Sequence, residues 1–181
     1  MHKRKADTRG LIFTGIFVAL MAMMAQISIP MPLGVPISMQ TFAVALAGIL
    51  LGSKRGFAAA AAYVLLGAAG APVFARFVGG FPALLGPTGG FILSFPALAW
   101  LAGFGAEKKG WKLIGGIAAG VFVNYTCGIL MFSLVTKCSL GAAFMASAAP
   151  FLPVEAIKMA LAGGVGARVR KRTKGIWGRG Q

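Results

Sequence analysis

The chain opens MHKRKADTRG (residues 1–10) and continues LIFTGIFVALMAMMAQISI (residues 11–29). How this stretch is read decides the fold. A basic start before an apolar run resembles a secretory leader. The apolar region of a leader, however, is only about 7–15 residues and ends at a small-residue cleavage site. Leu11–Ile29 is 19 residues long, enough to cross a hydrocarbon core of roughly 30 Å. No AxA-like site closes it, and further apolar runs follow. The reading is a retained first membrane helix.

Composition extends that reading to the whole chain. Hydrophobic residues make up 58% and charged residues 12% of 181, against roughly half and a quarter in a soluble domain. One globular core cannot absorb that excess. The 27 glycines also suit a membrane protein, where small residues let helices approach closely. The later apolar segments are Ile37–Gly52, Gly56–Ala71, Gly89–Gly105, Trp111–Thr136 and Pro150–Ala167. The expectation is an all-α integral membrane protein. Residues 1–10 form a basic tail, residues 11–167 a bundle of six transmembrane helices, and residues 168–181 a second basic tail.

Charge orients this arrangement. With the N-terminus cytoplasmic, cytoplasmic segments hold 15 of the 18 basic residues. Arg76 and Lys137 fall outside, and Lys158 lies within the last helix. This is a positive-inside pattern, which places both termini in the cytoplasm of a multi-pass protein of the cytoplasmic membrane. It also accounts for the net charge of +15 without nucleic acid. A nucleic-acid binder would gather its basic residues on one soluble face.

Two external loops break the pattern of short linkers. Residues 30–38, PMPLGVPIS, hold three prolines. Residues 71–90, APVFARFVGGFPALLGPTGG, are long and apolar. Loops of that length are uncommon in compact proteins unless functional. This one is expected to be ordered and to fold back onto the helices, as a ligand cradle or as a plug.

Catalytic chemistry is hard to build here. The chain has three acidic residues and one histidine, His2. Asp7 and Glu107 fall on the cytoplasmic side, which leaves Glu155 alone within the bundle. No GxxxxGK[ST] phosphate loop is present. Cys127 and Cys138 have no metal-ligand spacing. An enzyme, a metal site and a bound cofactor are not expected.

A binding site is easier to assemble. PFLPVEAIK (residues 150–158) sets Glu155 and Lys158 three apart at the start of the last helix, on one face. Ionisable residues inside a membrane are costly and are functional candidates by default. The pair either neutralises itself and orients the helix, or faces a cavity. Gln40, Thr88, Asn124 and Tyr125 lie at similar depth and suit either interhelical bonds or a ligand. Arg76 suits an anion or water. Gly15, Ala19 and Ala22 form a small-residue stripe on the first helix, and Gly116 and Gly120 another on the fifth. Such stripes serve close helix contact, internal or with a partner.

Three segments together resemble one family. PFLPVEAIK, SMQTFAVALAGILLGSKRG (residues 38–56) and GAPVFARFVGGFPALLGPTGGF (residues 70–91) are similar to the BioY family. These are the biotin-specific substrate-binding subunits, or S components, of energy-coupling factor transporters. The likeness runs from about the first helix to the last. It implies a six-helix protein that captures biotin from outside, energised by a transmembrane coupling protein and two cytoplasmic ATPases. It places Gly15, Ala19 and Ala22 where such a subunit meets the coupling protein. The family segment reads PFLPGD with a lysine three residues after the aspartate; here Val154 and Glu155 replace the glycine and aspartate. The resemblance implies that Glu155 accepts from the ureido N–H groups and that Lys158 or Tyr125 donates to the ureido oxygen. Phe74 and Phe91 would supply apolar walls. Arg76 and the turn N–H groups at Thr88, Gly89 and Gly90 would meet the ligand carboxylate, with Asn124 and Gln40 as further polar contacts. The alternatives are an S component for another vitamin, or a membrane scaffold subunit without a ligand.

Overall fold

A computed structural model of the protein describes residues 8–31, 35–108 and 110–172. Its six longest helices are α1 (Thr8–Gln26), α2 (Gln40–Leu51), α3 (Ser53–Ala68), α6 (Phe95–Lys108), α7 (Trp111–Thr136) and α9 (Leu152–Arg172). Between them lie three short helices: α4 (Phe81–Leu85), α5 (Gly89–Leu93) and α8 (Leu140–Ser147). The strands β1 (Ser28–Ile29) and β2 (Ile37–Ser38) pair antiparallel, Ser28 opposite Ser38. Two single 3₁₀ turns, Ala75–Phe77 and Ala149–Phe151, complete the described residues.

Three helical runs are long and apolar enough to cross a membrane: Thr8–Gln26, Trp111–Thr136 and Leu140–Arg172. Their surfaces agree with lipid contact. On α1 only Gly10, Phe17, Met21 and Ala25 are buried, and Leu11, Ile12 and Ile16 are each more than half exposed. α2 is the opposite case. Ten of its 12 residues are buried, so it needs no polar face and is hydrophobic all round. At about 1.5 Å per residue it spans roughly 18 Å, because Gly52 (φ 84°) turns the chain at once into α3.

Glycine sets the closest helix contacts. A Cβ on Gly116 of α7 would lie 2.8 Å from the Cα of Gly105 in α6, so the two backbones touch. The stripe at Gly116 and Gly120 thus serves internal packing.

The structure amends several sequence expectations. α1 stops at Gln26 instead of Ile29, because the next residues pair as β1 with β2. The fourth segment, Gly89–Gly105, is not one helix but α5 and α6, divided at Ser94. Pro96 has no N–H for the carbonyl four residues back, and its ring crowds that carbonyl. Ser94 Oγ instead donates at the break, to the Gly90 and Phe91 carbonyls at 2.8 and 3.0 Å. α9 runs through Arg172, so residues 168–172 of the expected basic tail are helical; Arg170, Lys171 and Arg172 fill its last turn, where cations favour the helix dipole. Residues 1–7 and 173–181 of the two expected tails lie outside the described residues.

Successive long helices alternate in direction, which creates two unlike ends. At one end Glu107 Oε1 accepts from Ser53 N–H and Ser53 Oγ at 2.7 and 2.9 Å, capping α3. Arg170 Nη1 donates to the Ile49 carbonyl at 2.7 Å, closing the last turn of α2. The other end is hollow.

Candidate functional site

The hollow end holds a cavity of about 300 Å³, at the small end of the range for ligand pockets. Its walls come from the start of α2, the 74–78 turn, the 86–95 segment, α7 and the start of α9. Phe74, Phe91, Phe95 and Phe151 line it with Ile92 and Val35. Two of these rings are fixed by glycines. The ring of Phe74 lies on Gly67 of α3 and that of Phe91 on Gly128 of α7, so tightly that neither glycine has room for a Cβ. Phe74 also meets Tyr63 edge-on at 5.5 Å, and Phe91 meets Tyr125 edge-on at 5.7 Å.

Glu155 and Lys158 sit on this wall and are both buried. They form the ion pair that their spacing predicts, Lys158 Nζ to Glu155 Oε2 at 2.6 Å. Lys158 also donates to the Ser38 carbonyl at 2.9 Å and to Thr41 Oγ1 at 2.8 Å. An ammonium has three protons, and all three are used. Lys158 therefore keeps no donor for a ligand; it anchors Glu155 to the start of α2. Glu155 lies in the first turn of α9, where the helix dipole also favours a carboxylate. Its second oxygen, Oε1, is buried and has no hydrogen-bond partner. Tyr125 stands beside this carboxylate, within hydrogen-bonding reach of it.

Asn124 repeats the pattern on α7. Its Nδ2 donates to the Phe91 carbonyl and to Ser94 Oγ, both at 2.8 Å. A carbonyl only accepts, so the amide nitrogen must face it, and this fixes the side-chain orientation. Oδ1 is left buried without a partner. Buried polar atoms are nearly always paired, and each exception needs a reason. Among the described residues Glu155 Oε1 and Asn124 Oδ1 are the two unpaired buried side-chain atoms, and both residues line the same cavity.

The remaining candidates divide. Gln40 lines the cavity but is engaged within the protein: Nε2 donates to Tyr63 Oη at 2.7 Å and Oε1 accepts from Ser38 Oγ at 2.9 Å. Tyr63 passes the chain on to the Val73 carbonyl at 2.8 Å. Thr88 and the exposed Arg76 line the rim. Gly89 and Gly90 do not line it. They are buried in helix contacts, Gly89 against the Leu84 carbonyl and Gly90 against the Cys127 carbonyl. On α1, Gly15 and Ala19 are exposed and Ala22 is half-buried against the core. Ser38 and Thr41, which hold Lys158, were not singled out from sequence. The polar start of α2, SMQT, carried the only hint.

The acid–base pair is neutral as a unit and Arg76 adds one positive charge at the mouth. The site thus offers two acceptors, aromatic walls and a cation, a set suited to an anionic ligand with N–H donors.

Comparison with known proteins agrees with this. The sequence profile of the BioY family matches residues 1–175. The chain belongs to the BioY family. The biotin transporter BioY of Thermotoga maritima is 40% identical over 166 residues, covering 90% of this chain and 96% of that protein. The probable biotin transporter BioY of Pyrococcus horikoshii is 38% identical over 158 residues, covering 87% and 94%. The fold is similar to a crystal structure of the S-component for biotin from an ECF-type ABC transporter: TM-score 0.83, 26% identity, covering 94% of this chain and 95% of that one. Membership in this transporter family, with the apolar helices, makes the chain a membrane protein and sets it apart from enzyme families.

Proposed function

We propose that this BioY-family chain binds biotin in the hollow end and delivers it for uptake as the S component of an ECF transporter. The observation that carries the reading is the pair of unpaired buried acceptors. A ureido ring has two N–H donors, and Glu155 Oε1 and Asn124 Oδ1, from α9 and α7, offer one acceptor each. Hydrogen bonds to a carboxylate are the stronger kind. The aromatic walls take the bicycle and the aliphatic chain. Arg76, exposed at the rim and in no ion pair among the described residues, receives the ligand carboxylate. Tyr125 or Thr88 donates to the ureido oxygen, the role that Lys158 has no proton left to fill.

The wider assembly follows from the same reading. Six helices span the cytoplasmic membrane, with the hollow end outside and the basic end, with both termini, in the cytoplasm. A transmembrane coupling protein docks on the exposed Gly15–Ala19 face of α1, and two cytoplasmic ATPases drive it. A scaffold subunit without a ligand has no use for two buried acceptors without partners.

Titration of the purified chain with biotin tests the function. Desthiobiotin, which keeps the ureido group and the carboxylate, should compete, whereas thiamine and riboflavin should not. Failure of both biotin and desthiobiotin to bind at micromolar concentration removes the reading.

A further inference from the structure

The turn that brings Arg76 to the cavity mouth has an unusual backbone. Arg76 and Phe77 both have positive φ, 63° and 58°. Residues with a Cβ enter this left-handed region rarely, and then as single residues. The turn closes on itself with two backbone bonds, Phe74 N–H to the Val78 carbonyl at 2.9 Å and, longer, Val78 N–H to the Ala75 carbonyl at 3.4 Å. Further support comes from another helix. Gln26, the last residue of α1, donates Nε2 to the Phe74 carbonyl at 3.1 Å and accepts the Phe77 N–H on Oε1 at 2.9 Å. The same Nε2 donates to the Ala22 carbonyl one turn back in α1 at 3.1 Å. Both donors and the acceptor of one amide are in use. Gln26 itself does not line the cavity.

We infer that Gln26 is a positioning residue through which α1 sets the placement of Arg76. The inference rests on Arg76 receiving the ligand carboxylate. Gln26 holds the Phe74 carbonyl before the left-handed pair and the Phe77 N–H within it, so without it the turn keeps only its two internal bonds, one of them long, and an unfavourable backbone. The consequence reaches further than the turn. α1 leaves Gly15 and Ala19 uncovered along its length while its final side chain grips the cavity mouth. A partner that displaces α1 therefore also displaces the cation that holds the ligand.

The test uses the purified full chain as wild type, Gln26→Ala, Arg76→Ala and the double variant, titrated with biotin and with biotin methyl ester. Gln26→Ala should weaken biotin about tenfold, the size of one charge-assisted hydrogen bond, and should weaken the ester far less. The double variant should bind biotin no more weakly than Arg76→Ala. Equal losses for acid and ester, or additive losses in the double variant, overturn the inference. A second readout needs no ligand: trypsin cleavage after Arg76. Gln26→Ala should speed this cleavage, while Gln26→Glu, which keeps an acceptor for Phe77 N–H, stays closer to wild type. An unchanged cleavage rate in Gln26→Ala also overturns it. A wild-type chain that binds neither ligand refutes the biotin reading alone, and cleavage then decides the role of Gln26.

Discussion

Glu107 and Glu155 are the same residue type at opposite ends of one molecule. At the basic end, one oxygen of Glu107 takes both donors that Ser53 offers, and Arg170 closes the last turn of α2. These groups complete the helix corner. At the hollow end, Glu155 gives one oxygen to Lys158 and leaves the other buried and unpaired. Lys158, by contrast, is fully used. The difference separates structural from functional polarity. A polar group whose capacity is filled within the chain stabilises the fold. One that is buried with capacity left over is a candidate to meet a ligand.

Mutations at the two ends should separate on that basis. The largest effect is expected from Lys158→Met. Stranding one member of a buried pair costs about 3–5 kcal/mol, so both the melting temperature and biotin binding should collapse. Retention of wild-type affinity would contradict the anchoring role. Glu155→Gln comes next. It keeps the shape but loses the charge, and affinity should fall by about 10- to 100-fold, as for a charged hydrogen bond. Calorimetry measures this, and an unchanged affinity removes Glu155 from the site. Asn124→Ala should cost about 1–2 kcal/mol of binding. Part of its effect should appear as lost stability, because Phe91 O and Ser94 Oγ lose their donor. Glu107→Gln is the contrasting case at the basic end. It should lower stability by about 1 kcal/mol, in the range of a lost helix cap, and leave biotin affinity where it was. A large loss of affinity there would erase the distinction between the two ends.

Much of this was legible in the sequence, but unevenly. α7 matches its expected limits, Trp111–Thr136, because one long apolar run has a single low-energy outcome in lipid. The Glu155–Lys158 pair was legible because i, i+3 spacing is a local rule. The short helices α4 and α8 were not assigned, since five and eight residues carry too little periodicity. Gln40 suits an interhelical bond or a ligand from sequence alone, and in the structure its amide bonds Tyr63 and Ser38. The bonds from Lys158 to Ser38 and Thr41 join positions 120 and 117 residues apart, and no local pattern reports them. The same holds for Gln26 and the 74–78 turn. Which polar residues are full and which have spare capacity is a property of the packed structure, and it alone distinguishes Lys158 from Glu155.

On the proposed function, Glu155 Oε1 and Asn124 Oδ1 take the two ureido N–H groups. The most direct measurement compares the affinity of biotin with that of a biotin methylated on a ureido nitrogen, for wild type and for the Asn124→Ala, Glu155→Gln double variant. Methylation should weaken binding to wild type about tenfold or more, the scale of a lost hydrogen bond with a buried partner left unpaired. In the double variant that penalty should largely vanish. Equal penalties in the two proteins would contradict that assignment.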